Sequence, residues 1–212
     1  LSAVAHIKEY KTGKFFSDEF RGDSSWNGFE HNVLLRNEGL DANGIPSFND
    51  VSMAVGTDDI RDARGMAVAD FDNDGDLDIV INNNPGDSGR AEMTQAVLLR
   101  NNTGERRNWL AVELRGSQSN RDGVGTVVTI ESGSGKQLRY VTAGSGYASQ
   151  QSARLYFGLN DQIQVDSLIV RWPNGIVQRF ENVKANQLLQ ITEGGELANL
   201  VLSTKSNKLA KK

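Results

Sequence analysis

The sequence predicts an all-β protein, and three observations carry that expectation. Glycine is abundant, with 22 residues, and proline scarce, with 3. Long apolar patterns at helical period are missing, so a helical core has no sequence to build it. Short alternating apolar segments, bounded by Gly, Asn and Asp, recur instead, which is the pattern of strands joined by turns.

The strands can be read in order. "GMAVADFD" (65–72) begins with small residues suited to a crowded inner strand, "DIVIN" (78–82) follows an acidic loop, and "AVLLRN" (96–101) makes a third. "NNPGDSGRAEMTQ" (83–95) reads as a loop. "NVLLRNEG" (32–39) returns as "AVLLRNNTG" (96–104), so Val33 matches Val97. A repeat of that size points to repeated β units such as propeller blades.

Composition shifts near "NTGERRN" (102–108). Beyond it, "WLAVEL" (109–114), "VGTVVTIE" (124–131), "KQLRYVTA" (136–143), "DSLIVRW" (166–172), "GIVQRF" (175–180) and "QLLQIT" (187–192) alternate. Leu110, Val112 and Leu114 share one face, as do Leu168, Val170 and Trp172, with Arg171 pointing away. Short strands this close together predict an antiparallel β-sandwich or barrel. The expected organisation is an N-terminal arm (1–30), a propeller-like unit (31–105), a second β-domain (106–194) and a tail (195–212). "LANLVL" in that tail fits a strand or a short helix.

The formal net charge is −4, and a nucleic-acid binder would carry a basic face, so nucleic acid is not an expected partner. The lysines of "KSNKLAKK" (205–212) read as a solvated terminus. With no cysteine, no disulfide and no thiolate site is available. No apolar run reaches the ~18 residues of a membrane span. The chain begins at Leu1, which is read as a processed chain or a fragment with any signal already removed.

The densest chemistry is "VADFDNDGDLDIV" (68–80), which holds Asp70, Asp72, Asp74, Asp76 and Asp78. Carboxylates at loop positions 1, 3 and 5 converge when the chain curls tightly, and Gly75 at position 6 permits the curl. Asp76 then offers its backbone carbonyl and Asp78 closes the site with a carboxylate. An oxygen-only cage of this size suits a hard cation, Ca²⁺ before Mg²⁺. It is not an EF-hand loop, because position 12 is Ile81 rather than Glu. The bland alternative is an acidic surface turn, which would leave close carboxylates repelling one another.

These residues carry two family resemblances. "GMAVADFDNDGDLDIVINN" resembles the FG-GAP/VCBS repeat, the calcium-binding blade of integrin-α-type β-propellers, over roughly 33–101. The resemblance implies Asp70, Asp72, Asp74 and Asp78 as side-chain ligands and Asp76 as a carbonyl ligand. "NWLAVELRGSQSNRDGVGT" (108–126), "GSGYASQ" (144–150), "YFGL" (156–159) and "VDSLIVRWPNG" (165–175) resemble the ASPIC/UnbV domain, over about 106–193. Thr126 departs from that pattern, where Ala is expected, at a position read as packing. Together they imply a partial β-propeller-like FG-GAP unit followed by a C-terminal β-domain. They also imply an extracellular or cell-surface location and a calcium-dependent structural or adhesive role, with no reaction attached. A single blade, where integrin-like propellers close with about seven, implies a fragment, a unit standing alone, or completion by other subunits.

Other motifs weigh less. Asn120, Arg121 and Asp122 in "SNRDGVG" read as a structural turn with an Arg–Asp pair rather than a binding site. Ser145, Tyr147 and Gln150 offer groups for carbohydrate recognition, against a packed loop. A hydrolase lacks parts: only His6 and His31 are available as histidine bases, and no G-x-S-x-G stretch occurs. "GSGK" (133–136) is not a phosphate loop. Glu113 and Glu131 are not singled out for glycoside cleavage. "RGD" (21–23) is short enough to arise by chance, and Asn101-Asn102-Thr103 is a glycosylation sequon that matters only in a glycosylating secretory system. Expected partners are an extracellular protein or glycan, or further copies of the chain. Open sheet edges and terminal strands of an incomplete blade would support a self-assembling filament. A glycan-binding or glycan-processing protein is the remaining alternative.

Overall fold

The computed structural model describes residues 31–83, 96–102, 107–133, 135–147 and 149–200. The arm (1–30), with its RGD and His6, most of the 83–95 loop, Thr103 of the sequon and the lysine tail lie outside the described residues. Among the described residues thirteen strands and one short helix follow one another, so the all-β expectation holds. Among the described residues no helix is long and apolar enough to cross a membrane. They fall into two compact units, 31–64 with 82–83 and 96, and 65–81 with 97–200.

In the first unit, strands β1 (Leu35–Leu40) and β2 (Pro46–Asp50) pair antiparallel. The register shifts between Asn37 and Gly39, where the Asn37 side chain accepts the Gly39 N–H at 2.8 Å. A one-turn helix, α1 (Ser52–Val55), follows and stops at Gly56 in the left-handed region.

Strands β3 (Ala63–Ala69), β4 (Asp78–Asn83) and β5 (Val97–Leu99) form a three-stranded sheet in the order β3-β4-β5. It matches the strands expected from 65–72, 78–82 and 96–101, and its β3–β4 connection is the aspartate loop. The two halves of the sequence echo both enter strands, β1 and β5.

The remaining strands are β6 (Asn108–Arg115), β7 (Val127–Ser132), β8 (Gly135–Tyr140), β9 (Leu155–Asn160), β10 (Gln164–Arg171), β11 (Val177–Lys184), β12 (Gln187–Thr192) and β13 (Leu197–Leu200). They form two four-stranded sheets, β11-β10-β7-β8 and β13-β12-β6-β9. This is two sheets around one core, not a closed barrel. Val128, Ile130, Val165, Leu168 and Val170 enter that core from one sheet. Leu110, Val112, Leu114, Phe157, Leu159, Leu189 and Ile191 enter it from the other. The expected faces of "WLAVEL" and "DSLIVRW" are therefore core faces, and Arg171 is exposed.

Two features depart from what the sequence predicts. The β12–β6 pair is parallel, Leu189 facing Val112, whereas an antiparallel sandwich was expected. Strand β9 (Leu155–Asn160) is not among the strands that alternation predicts, because Gly158 interrupts its apolar run. The "LANL" stretch takes the strand form of its two expected alternatives, with Leu200 opposite Leu188 on β12. Thr126 is a packing position as expected, at 0 % exposure. Its hydroxyl has no hydrogen-bond partner among the described residues, a cost that alanine would not carry.

A polar knot closes one end of the sandwich. Glu193 follows β12 and is buried. Its Oε2 accepts the backbone N–H groups of Ser117, Gln118 and Ser119 at 2.8, 2.7 and 2.7 Å. Its Oε1 accepts from Ser119 Oγ at 2.7 Å and Asn174 Nδ2 at 2.5 Å. Successive N–H groups converging on one oxygen make an anion-binding nest. Burial pushes the Glu193 carboxyl up, but these donors outweigh it and hold the pKa at about 2, below its ordinary 4.5. In the same loop, Asn120 Oδ1 accepts the Asp122 N–H at 3.0 Å. The turn is held that way and by the Gly116 N–H to the Arg121 carbonyl at 3.0 Å, not by the expected Arg121–Asp122 pair.

A group whose folded pKa is depressed stabilises the fold above its unfolded pKa, and that contribution disappears as pH falls through the folded value. Glu193→Gln is therefore expected to melt below the parent chain at pH 7, with the gap closing as pH falls from about 4.5 toward 2. Melting curves across that range check this; a gap independent of pH would contradict it.

Candidate metal centre

The aspartate loop runs from the end of β3 to the start of β4 and turns through two left-handed residues, Asn73 at φ 61° and Gly75 at φ 97°. Asparagine tolerates that region and glycine enters it freely. The curl is drawn tight by its own carboxylates. Asp70 accepts the N–H groups of Asp74 and Gly75, both at 3.1 Å, and Asp74 accepts that of Asp76 at 3.1 Å. Asp78 accepts the Phe71 N–H at 3.1 Å and the Asn101 N–H at 2.8 Å, tying the loop to the end of β5.

Asp70, Asp72 and Asp74 each offer a carboxylate oxygen, and these oxygens lie within 4.8 Å of one another. Asp70 is buried, Asp74 half-buried and Asp72 exposed. Asp76 and Asp78 are buried beneath them and stand outside that convergent trio. Asp78 remains close enough for its charge to act on Asp72.

The electrostatics of the loop are unbalanced. Burial pushes the Asp70 carboxyl up, N–H groups of Gly75, Asn73 and Asp74 oppose this, and the Asp74 charge adds to it. Burial and the charges of Asp74 and Asp78 push Asp72 up as well, against one opposing cation, Arg100, whose Nη1 lies 3.5 Å from Asp72. Hard oxygen donors converging without enough positive charge fit a divalent cation of the Ca²⁺ type.

The loop rests on the sandwich. Trp109 on β6 and Tyr156 on β9 stand 6.5 Å apart between ring centroids, with planes tilted by 33°. Gly75 packs so closely on the indole that a Cβ built there would lie 1.9 Å from Trp109 Nε1. Burial raises the Tyr156 phenol pKa, and the Asp70 carboxylate raises it further, while Arg154 opposes both. This aromatic ledge is not legible in the sequence, because "NWLAVEL" and "YFGL" read as strand and packing. Glu113 holds Arg115 at 2.9 Å and Arg154 at 3.2 Å. His31 Nδ1 lies 2.7 Å from the Asp58 carbonyl in the first unit.

Comparison with known proteins places part of this chain. Residues 116–198 match the family described as ASPIC and UnbV, a match that starts after the aspartate loop. The chain is similar to Cartilage acidic protein 1 of Homo sapiens, 32% identical over 130 residues, 61% of this chain and 18% of that protein. The Mus musculus protein of the same name is 25% identical over 183 residues, 82% of this chain and 27% of that one. The Xenopus tropicalis protein is 33% identical over 116 residues, 54% and 17% respectively. The chain thus spans less than a third of the length of the curated relatives it matches.

Gly75→Ala places a side chain in a left-handed residue and against Trp109. It is expected to cost at least about 1–3 kcal/mol from backbone strain alone and to shift the Trp109 indole signal in NMR. An unchanged melting temperature and an unmoved indole resonance would show that Gly75 does not pack on Trp109.

Proposed function

We propose that the chain is a calcium-binding structural module of the extracellular space, serving adhesion or matrix assembly and carrying no catalytic activity. The observation that carries this reading is the convergence of Asp70, Asp72 and Asp74 in a turn shaped by Gly75. Asp70, Asp72 and Asp74 would hold the ion directly. Asp78 would complete the charge, and Asp76 would add its carbonyl. The bound cation supplies the positive charge that the loop lacks and nothing more. The chain's own residues hold the geometry: Asp78 ties the loop to β5, and Trp109 and Tyr156 support it from below. The FG-GAP/VCBS resemblance of this stretch supports the same reading. Likeness to a protein named for cartilage and for acidity supports an extracellular setting.

A second reading, self-assembly, is favoured by the β3-β4-β5 sheet, whose outer strands have no further strand partner among the described residues. Edges of that kind accept strands from other chains. It is compatible with the first reading, since a cation-stapled blade is a firmer template.

With a Kd of roughly 10 µM and roughly 1 mM Ca²⁺, binding contributes about 2.7 kcal/mol. For a chain of this length that corresponds to a rise in melting temperature of about 5–11 °C. Thermal melts of the full chain in Ca²⁺ and in EDTA are expected to differ by that order. Identical melts would sink the proposal.

A further inference from the structure

The second unit opens a cleft of about 220 Å³ beside the ends of β8 and β9, lined by Arg139, Tyr140, Thr142, Arg154 and Tyr156 among others. That volume falls below the roughly 300–1,000 Å³ of ordinary small-molecule sites, so it fits one ring or one end group of a larger ligand. None of its lining residues is Asp or Glu, although the chain as a whole carries a net charge of −4.

Two guanidiniums set its character. Arg139 lies opposite Val128 in the β7–β8 register. Val128 is a core residue, so Arg139 leaves the strand on the sandwich side. There its Cζ stands 5.6 Å from the Phe157 ring centroid, and its Nη1 donates to the Leu138 carbonyl at 2.9 Å. Among the described residues no carboxylate pairs with it. Arg154 has one, but Glu113 is shared with Arg115, which leaves one carboxylate against two cations. An aromatic face under Arg139 holds its planar fork in place, and such a fork matches a carboxylate with two parallel hydrogen bonds.

The rest of the lining is chosen by a different chemistry. Thr142, Gln151 and Ser152 bring hydroxyl and amide groups to the cleft, and all three are exposed. Tyr140 is 62% exposed and presents a ring edged by a hydroxyl. A sugar ring asks for this combination: donors and acceptors for its hydroxyls, and an amphipathic ring for its C–H face.

We propose that this cleft binds the carboxylate-bearing residue of an acidic glycan, a hexuronate, with Arg139 and Arg154 on the carboxylate and the Thr142–Gln151–Ser152 side on the ring hydroxyls. The cleft borders the aspartate loop, with Leu77 and Tyr156 in its lining, but none of its proposed ligand contacts is a proposed cation ligand, so its failure would leave the cation reading standing. An acidic peptide shares the carboxylate but not the ring hydroxyls.

Calorimetric titration of the full chain in calcium-containing buffer tests this with three probes. They are a disaccharide ending in glucuronate, its neutral counterpart ending in glucose, and a short glutamate-containing peptide. The glucuronate probe is expected to bind roughly tenfold or more tightly than either other probe, and more weakly as salt rises. Arg139→Gln should lower its affinity roughly tenfold or more, with Arg139→Lys falling between. Thr142→Val, at an exposed position, should weaken binding without touching the core, and serves if the Arg139 variants fail to fold. Equal binding of the neutral sugar would overturn the proposal. Tighter binding of the peptide would do so too and would assign the cleft to acidic peptides. So would an affinity unmoved by Arg139→Gln, or by Thr142→Val.

Discussion

Like charge held at short range is the constraint around which this chain is arranged. Three carboxylates converge within 4.8 Å, in a loop too short to relax away from itself. Two further carboxylates lie buried just beneath. Apart from the Arg100 cation beside Asp72, the contacts named around them act on geometry rather than on charge. N–H groups draw the turn closed, Asp78 bolts it to β5, and the Trp109–Tyr156 ledge prevents it from opening on the sandwich side. Each of these makes the repulsion harder to escape, which is the physical ground for the proposed cation.

Glu193 shows the other solution to the same problem. It too is a buried carboxylate, but three N–H groups, a hydroxyl and an amide surround it. Those donors hold its pKa at about 2, so it is a satisfied anion. Asp70 and Asp72 receive fewer donors and more negative neighbours, and their carboxyls are pushed upward instead. One chain thus contains a carboxylate balanced by the protein's own dipoles and a cluster that those dipoles leave unbalanced. The first belongs to architecture, and the second is the ground for the proposed cation site.

Much of this was legible in the sequence, and the reasons differ by feature. Alternation named most strands, because Leu110, Val112 and Leu114, or Leu168, Val170 and Trp172, need one buried face. Local spacing named the aspartate turn, because its geometry is set within nine residues and by the left-handed conformation of Gly75. What was not legible is what comes together across the chain. The parallel pairing of β6 with β12 joins segments more than seventy residues apart. The nest around Glu193 joins residues 117–119, 174 and 193. The ledge under the aspartate loop joins residue 75 to 109 and 156. Each depends on tertiary placement that no periodicity encodes. Strand β9 escaped for a smaller reason, since Gly158 breaks its run while the fold tolerates it between Phe157 and Leu159.

The most direct test of the central claim is a calorimetric titration of chelator-stripped protein with Ca²⁺, beside a variant carrying Asp72→Ala and Asp74→Ala. One saturating site in the parent chain, lost in the variant while the fold persists, is the predicted result. A parent chain that takes up no Ca²⁺, or a variant that binds it unchanged, would contradict the account and return the loop to the status of an acidic turn.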